Sequence, residues 1–158
     1  GPRTPPGFFV ESRPLSVRCS EEMTACFGNT SYFLAMLVPQ DLYHGAACRW
    51  AETSLSPIVT SDYVVLEVAN FLSPQPTRTL FVEFLRILRA DSRISVVPAS
   101  NGLMKHGTEL YGARPDKSWS LKDCISFEIM RDHGLSEALT ADRHFEQAGF
   151  SAILKNIR

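Results

Sequence analysis

Three acidic residues and one amide stand at positions where they could share a chemical task. Asp142 follows a short apolar run and opens a predicted helix, and Asp123 lies in the first turn of the helix before it. Glu67 is the lone charge within an apolar helical run, and Asn29 follows the first apolar run. Carboxylates that gather at one place repel each other, so such a group has raised pKa values or binds a cation. Hard oxygen ligands suit Mg²⁺ or Mn²⁺, and the residue types therefore predict a divalent-metal site.

Each acid also has a structural interpretation. Ser120 and Asp123 have the spacing of a capping box, and Asp142 has the place of an N-cap after a strand. The helix dipole also favours acidic residues near a helix start. Glu67 is harder to explain in this way, because a charge in an apolar helix is rarely buried without a partner. Taken singly, Asp123 and Asp142 are better explained as capping residues, and Glu67 is better explained by a functional role.

The cysteine and histidine residues do not suggest a second kind of metal site. The four cysteines form no CxxC pair, and only Cys48 has a histidine, His44, within one helical turn. Zinc is therefore not expected, and the apolar neighbours of three cysteines are typical of buried thiols in a reducing compartment. His144 follows Asp142 closely. A single histidine on an apolar-flanked helix is more often structural, so His144 is left out of the predicted site.

Composition restricts how this protein can meet a nucleic acid. The formal net charge is −1, which excludes recognition by bulk positive charge and requires a local basic patch or metal ions. Four basic side chains are candidates for such a patch, although a solvated surface explains each equally well: Arg114, Lys117, Lys122 and Arg143. No apolar run has the length of a transmembrane helix, and the first residues lack the core of a signal peptide. These features predict a cytoplasmic protein.

The chain of 158 residues has the length of one domain, preceded by a segment of different composition. Residues 1–22 are rich in proline, arginine and serine and show little periodicity, so we expect a flexible extension or a cleavage remnant. The leading Gly-Pro is typical of a protease-cleavage scar, and Met23 is a candidate natural start. The predicted folded domain is residues 23–158.

Short apolar runs alternate with helical patterns from Met23 onward. Strands separated by helices predict right-handed βαβ units, and hence a three-layer α/β/α sandwich around a parallel sheet. In such a sheet the position after the first strand and the position of Asp142 lie at the same edge, where open α/β sheets bind ligands. The predicted strands are residues 25–28, 57–60, 94–97, 138–140 and 152–154.

The pattern of apolar residues also predicts how two helices pack and where a third one ends. Residues 62–72 are apolar around most of the helix, which predicts burial on more than one side. Residues 77–90 form the clearest amphipathic helix, with apolar residues on one face. Gly134 is predicted to end the helix that begins at Ser120.

Four segments of the chain have a familiar order and spacing: FGNTSYFLA from Phe27, VVLEVANFL from Val64, SLKDC from Ser120 and ALTADRHFEQAGF from Ala138. In this order they resemble PIN-domain ribonucleases, the toxin type usually called VapC. The resemblance extends over residues 26–154 and implies a compact α/β/α fold with a parallel sheet and an acidic pocket. The family's acidic positions match Asn29, Glu67, Asp123 and Asp142.

By that resemblance the protein would be an endoribonuclease that hydrolyses RNA phosphodiester bonds with Mg²⁺ or Mn²⁺ held at these four positions. Thr30 and Thr140 would support the site through a hydroxyl ligand or a hydrogen bond to water. Family members commonly form homodimers and are covered by a small antitoxin, often with an arginine entering the acidic groove. Residues 32–37 and 80–88 are candidate contact faces, although core packing explains both helices equally well.

Asn29 departs from the family pattern, which has Asp at this position. A unit charge lost about 4 Å from a cation is worth roughly 4 kcal/mol at an effective dielectric near ~20, partly offset by reduced repulsion among the remaining acids. Two explanations stay open: a change introduced to silence a toxic nuclease, which we favour, or a natural residue in a weak or inactive protein.

The alternative function is a non-catalytic PIN-like module that binds RNA or a protein. A response-regulator-like domain fits poorly, because no lysine is convincingly placed after a late strand.

Overall fold

The computed structural model describes residues 24–157, so the predicted extension at residues 1–22 lies outside the described part. Two short 3₁₀ turns, Gln75–Thr77 and Ile153–Asn156, accompany the helices and strands. In chain order the elements are β1 (Cys26–Gly28), α1 (Thr30–Leu37), α2 (His44–Thr53), β2 (Ile58–Ser61), α3 (Asp62–Phe71), α4 (Arg78–Ala90), β3 (Ile94–Val97), α5 (Asn101–Ala113), α6 (Leu121–Asp132), β4 (Glu137–Leu139), α7 (Arg143–Gln147) and β5 (Ser151–Ala152).

The five strands form one parallel sheet in the order β3-β2-β1-β4-β5. Phe27 in the central strand pairs with Val59 of β2 on one side and with Ala138 of β4 on the other. Helices α2, α3 and α4 each contact α1, and α5 and α7 each contact α6, in keeping with the predicted α/β/α layers. The chain first builds outward from β1 to β3 and then returns to the other side of β1. The ends of β1 and β4 therefore border the crevice at which the strand order reverses.

Aromatic packing holds α6 and α7 against the centre of the sheet. Phe145 of α7 is fully buried, with its ring centroid 6.2 Å from Phe27 of β1 and 4.9 Å from Phe127 of α6. Trp119, just before α6, packs edge-on against Phe127 at 5.0 Å. Edge-to-face contacts of this kind add to the stabilisation from buried area. The starts of α6 and α7, which carry two of the predicted acids, are thus fixed relative to β1.

Helix α3 is packed on one side only, so the prediction that it is buried on more than one side was wrong. Val64 and Val68 are fully buried, whereas Leu66 is 60% exposed and Phe71 is 64% exposed. α3 contacts α1, α4 and β2, and no described element covers its outer face. Apolarity around a helix does not reveal whether a neighbouring element exists to cover every side.

Helix α1 belongs to the core and does not offer the contact face considered for residues 32–37. Its residues Tyr32, Phe33 and Ala35 are buried, and the rings of Phe33 and Phe84 of α4 lie 4.9 Å apart. Of the two explanations left open for this segment, core packing is the correct one.

The last strand is shorter than the predicted 152–154, because the chain turns inward after Ala152. The backbone N–H of Leu154 donates to the carbonyl of Thr140 at 3.2 Å, and the Leu154 side chain is fully buried. The predicted break at Gly134 is confirmed. Its φ of +64° is the left-handed conformation that glycine adopts at helix ends, and it turns the chain from α6 toward β4.

Candidate active site

The four predicted positions, Asn29, Glu67, Asp123 and Asp142, form one side-chain cluster, which we call the pocket, near the carboxyl ends of β1 and β4. Asn29 directly follows β1, and its backbone N–H donates to the carbonyl of Leu139 at the end of β4 (3.3 Å). Asp142 caps α7 after β4, and Asp123 lies in the first turn of α6. Glu67 reaches the pocket from α3, through its contact with the Lys122 ammonium. Parallel pairing therefore brings together residues that are far apart in sequence.

Lys122 was not predicted to lie among the acidic positions, yet its ammonium nitrogen contacts three of the four. Nζ lies 2.8 Å from Oδ1 of Asn29, 3.2 Å from Oε1 of Glu67 and 3.3 Å from Oδ1 of Asp123. The side chain is only 14% exposed. Sequence reasoning placed Lys122 among the candidates for RNA binding. The structure places it inside the acidic cluster, and a role toward RNA stays a prediction.

A hydrogen-bond network sets the orientation of Asn29. An ammonium group only donates, so the oxygen of the Asn29 amide faces Lys122 and its Nδ2 faces Thr140, at 3.1 Å from Oγ1. Thr140 Oγ1 also accepts from the backbone N–H of Asp142 (3.1 Å). With both lone pairs used, the Thr140 hydroxyl donates to Ser31 Oγ at 3.0 Å. Thr140 thus links Asn29 to Asp142, and its predicted role as a hydroxyl ligand or as a partner of a water stays a prediction.

Asp123 combines the two interpretations that the sequence left open. Its backbone N–H donates to Ser120 Oγ and its Oδ2 accepts from the Ser120 N–H, both at 3.0 Å, which completes the capping box. The same carboxylate is buried in the pocket, with Oδ1 toward Lys122 and Oδ2 3.2 Å from Nδ1 of His144. Capping therefore positions this carboxylate without removing it from the site.

Asp142 behaves in the same way. Its Oδ1 accepts from the backbone N–H of His144 at 2.9 Å, as an N-cap does, and lies 3.4 Å from Nδ1 of the same residue.

His144 was excluded by sequence reasoning, yet its ring lies between the carboxylates of Asp123 and Asp142. The signal that could have revealed it is its place two residues after a strand-ending acid, on the first turn of α7. One ligand atom from each of these three residues lies within 4.8 Å of the others. Two carboxylates and an imidazole are a donor set that fits a divalent cation.

Glu67 does not have the burial that the sequence argument assumed. Its side chain is 43% exposed, so the expectation that a charge in this apolar helix would be buried was wrong. Glu67 and Lys122 both line a largely apolar groove between α3 and the α5–α6 pair. The other residues that line it are Tyr63, Leu66, Asn70, Met104, Leu121 and Ile125.

The remaining supporting and basic candidates have surroundings of their own. The buried hydroxyl of Thr30 has no hydrogen-bond partner among residues 24–157, and its predicted role in the site stays a prediction. Cζ of Arg114 lies 5.0 Å from the ring centre of Trp119, and Nζ of Lys117 lies 5.9 Å from it. Both cations therefore lie over the same aromatic ring, just before α6. Arg114 also binds Asp116 and lowers the pKa of that carboxyl to about 2. Arg143 is exposed at the start of α7.

A sequence profile of the PIN domain matches residues 29–151, which include all four predicted positions. The chain belongs to the PIN-domain family. It is 30% identical over 126 residues to VapC20 of Mycobacterium tuberculosis, named a 23S rRNA-specific endonuclease in two strains, and the match covers 78% of this chain and 94% of that protein. The recognition of a VapC-type PIN domain from four segments is therefore confirmed.

Two solved structures share the fold of this chain. The crystal structure of VapC20, described as a sarcin-ricin loop cleaving toxin, has a TM-score of 0.73 and 25% identity, covering 80% of this chain and 97% of that one. FitAcB from Neisseria gonorrhoeae has a TM-score of 0.60 with 14% identity, covering 80% of this chain and 94% of that one, and it supports the fold alone. Within residues 24–157, no helix is both long and apolar enough to cross a membrane.

Proposed function

We propose that this PIN domain is a metal-dependent endoribonuclease that hydrolyses RNA phosphodiester bonds and serves as the toxin of a toxin–antitoxin pair. The observation that carries the proposal is the meeting of Asn29, Glu67, Asp123 and Asp142 in one pocket beside the point where the strand order reverses. These residues match the family's acidic positions. Capping alone does not explain the three carboxylates, since Glu67 caps no helix yet contacts the ammonium of Lys122, which also contacts Asp123.

The carboxylates of Asp123 and Asp142 fit Mg²⁺ or Mn²⁺, and with the imidazole of His144 the set suits Mn²⁺ better than Mg²⁺; Glu67 and Asn29 lie nearby. When bound, the ion supplies a Lewis acid for the scissile phosphate. The chain's own residues do the positioning. Asp123 and Asp142 are held by their caps, and Nδ1 of His144 lies 3.2 Å from Oδ2 of Asp123 and 3.4 Å from Oδ1 of Asp142.

Basic side chains outside the pocket would hold the RNA backbone. Arg143 stands exposed beside Asp142, and Arg114 and Lys117 stand before α6 near Trp119. Contacts of this type position a substrate without reading its sequence. Because VapC20 is named for 23S rRNA, that RNA is the first substrate to test.

Asn29 reduces the expected activity. It offers a neutral carbonyl where an acid would add a unit charge, so we expect weaker metal binding in this chain than in the Asn29→Asp form. Cleavage by the present chain should be at least about tenfold slower at limiting metal concentration.

The test is cleavage of 23S rRNA by this chain and by Asn29→Asp, with Mn²⁺ or Mg²⁺ and with a chelator. We expect cleavage that is faster in the Asn29→Asp form, stops with the chelator, and is lost on adding Asp142→Asn. Asp132→Asn, an exposed acid at the end of α6, is the matched control and should leave cleavage unchanged. Cleavage that survives Asp142→Asn or the chelator would contradict the proposed mechanism.

The alternative function is a PIN-like module that binds RNA or a protein without cutting. Asn29 and the Lys122 ammonium favour it, because both reduce the negative charge of the pocket. RNA binding by the Asn29→Asp form without cleavage at any metal concentration would support this alternative.

The proposed partners are an antitoxin and a second copy of this chain. An antitoxin arginine would enter beside Glu67, the exposed carboxylate of the pocket. For self-association we propose the α4 face predicted from residues 80–88, because Phe81 and the exposed Val82 border an apolar groove against Leu72, which directly follows α3. Light scattering of the chain and of Val82→Glu tests this: a dimer that Val82→Glu dissociates supports it, and a monomer at high concentration contradicts it.

A further inference from the structure

The contacts of Lys122 differ from those of a lysine that waits for a phosphate. Its ammonium donates a hydrogen bond to the amide oxygen of Asn29 and forms ion pairs with the carboxylates of Glu67 and Asp123. A lysine at a protein surface usually keeps its charged end in water, whereas this side chain is largely buried. Lys122 therefore has the surroundings of a bound cation.

Asp123 divides the pocket into two cation positions. Its Oδ1 faces the ammonium of Lys122, and its Oδ2 faces the ring of His144, which Asp142 borders on the other side. The first position lies among Asn29, Glu67 and Asp123. The second lies among Asp123, Asp142 and His144, whose ligand atoms come together. One carboxylate thus belongs to both positions.

The charges of the pocket balance with a single divalent ion. Glu67, Asp123 and Asp142 contribute three negative charges, and the Lys122 ammonium contributes one positive charge. One divalent ion completes neutrality, whereas a second would leave an excess of positive charge in a half-buried site. Asn29 is part of this balance, because it is neutral and turns its oxygen toward Lys122.

We propose that Lys122 is a built-in cation that occupies the first position, so that the protein binds one divalent ion, at Asp123, Asp142 and His144. The proposal rests on the metal-dependent function proposed above. It makes Lys122 a positioning residue, which holds Asn29, Glu67 and one oxygen of Asp123 in place without a second ion. Glu67 then acts mainly through Lys122.

The number of bound ions tests the proposal directly. Titration with Mn²⁺, followed by electron paramagnetic resonance and calorimetry, should give one ion per chain. Lys122→Met should bind two ions, or bind its ion about tenfold more tightly, because the repelling charge is gone. Lys155→Met is the matched control, since Lys155 pairs with Glu146 away from the pocket, and it should behave like the unchanged protein. Two ions in the unchanged protein, or a Lys122→Met form indistinguishable from the control, would overturn the proposal.

A second comparison uses variants that keep Lys122 and does not depend on the folding of Lys122→Met. Asp142→Asn should weaken Mn²⁺ binding by about a hundredfold, because it removes a direct ligand. Glu67→Gln should weaken it by less than about tenfold, because Glu67 contacts the lysine and not the ion. Equal losses in the two variants would place the ion among all the acids and overturn the proposal.

The failure of this inference differs from the failure of the proposed function. If the chain or its Asn29→Asp form cleaves RNA with metal but binds two ions, the nuclease stands and the role of Lys122 is wrong. If neither form binds Mn²⁺ nor cleaves RNA, the metal-dependent function itself is wrong.

Discussion

The two sides of the pocket are built by different means. On the α6–α7 side, Asp123 and Asp142 are fixed by their own helix caps, and Phe127 and Phe145 pack these helices on the sheet. On the α3 side, Glu67 projects from a helix that is buried along a single stripe and exposes Leu66. On the first side, the carboxylates that form the pocket also cap their helices, so the same atoms serve the site and the fold. The second contributes a charge that the fold does not need.

Phe145 and Leu66 should show the largest difference between the two sides. Phe145→Ala should lower the free energy of unfolding by about 3–5 kcal/mol, because it empties a fully buried site between β1 and α6. Leu66→Ala should change it by less than about 0.5 kcal/mol, because that side chain is mostly exposed. Urea denaturation measures both. Similar losses would mean that α3 is covered in solution, for instance by a second chain.

The two acids should differ next. Asp123→Ala should cost about 2–3 kcal/mol of stability, because it removes a capping box and leaves the buried end of Lys122 with one acceptor fewer. Glu67→Ala should cost less than about 1 kcal/mol, as expected for a half-exposed ion pair. Thermal unfolding of both variants in chelator, so that metal plays no part, gives the comparison. A larger cost for Glu67→Ala would reverse the contrast drawn between the two sides.

Two glycines of α5 test how closely α6 is held. A Cβ on Gly107 would overlap with the side chain of Ile125 on α6, so Gly107→Ala should destabilise by about 1–3 kcal/mol. Gly112 has no atom within 4 Å of such a Cβ. Gly112→Ala should stabilise by up to about 1 kcal/mol through helix propensity alone. Chemical denaturation decides, and equal effects would show that the α5–α6 contact is loose.

The smallest expected effect is at Asp91, next to the edge strand β3 on the α3 side. Hydrogen bonds from Arg93 lower the pKa of the Asp91 carboxyl, so its contribution is present above the unfolded pKa near ~3.9 and is lost as the pH falls through the lower folded value. Asp91→Asn should therefore cost up to about 0.5 kcal/mol at neutral pH, after allowance for solvent screening. The cost should shrink as the pH falls below about 4. A cost that is constant with pH would assign the effect to packing instead of charge.

Most of the fold could be predicted from the sequence, because its signals are local. The apolar runs ending at Gly28 and Leu139, the caps at Ser120 and Asp142 and the break at Gly134 each depend on neighbouring residues. The order of these signals was enough to predict a parallel sheet and to bring Asn29 and Asp142 to one edge.

The details of the site could not be predicted, because they depend on contacts between distant segments. The position of the Lys122 ammonium depends on the distance between α3 and α6. The position of the His144 ring depends on the angle between α6 and α7. The exposure of Glu67 depends on how α3 lies on β2. Residue types alone therefore predicted the positions that meet, but not which cation lies among them.

The capping box at Asp123 has an evolutionary consequence. A mutation there damages the fold and the pocket together, whereas Asn29 caps α1 without a side-chain hydrogen bond and Glu67 caps nothing. Descendants of such a nuclease that lose their activity should drift first at the positions of Asn29 and Glu67. They should keep the acid at the start of α6 as a remnant of the ancestral site. The asparagine of this chain stands at one of the two positions where that drift would begin.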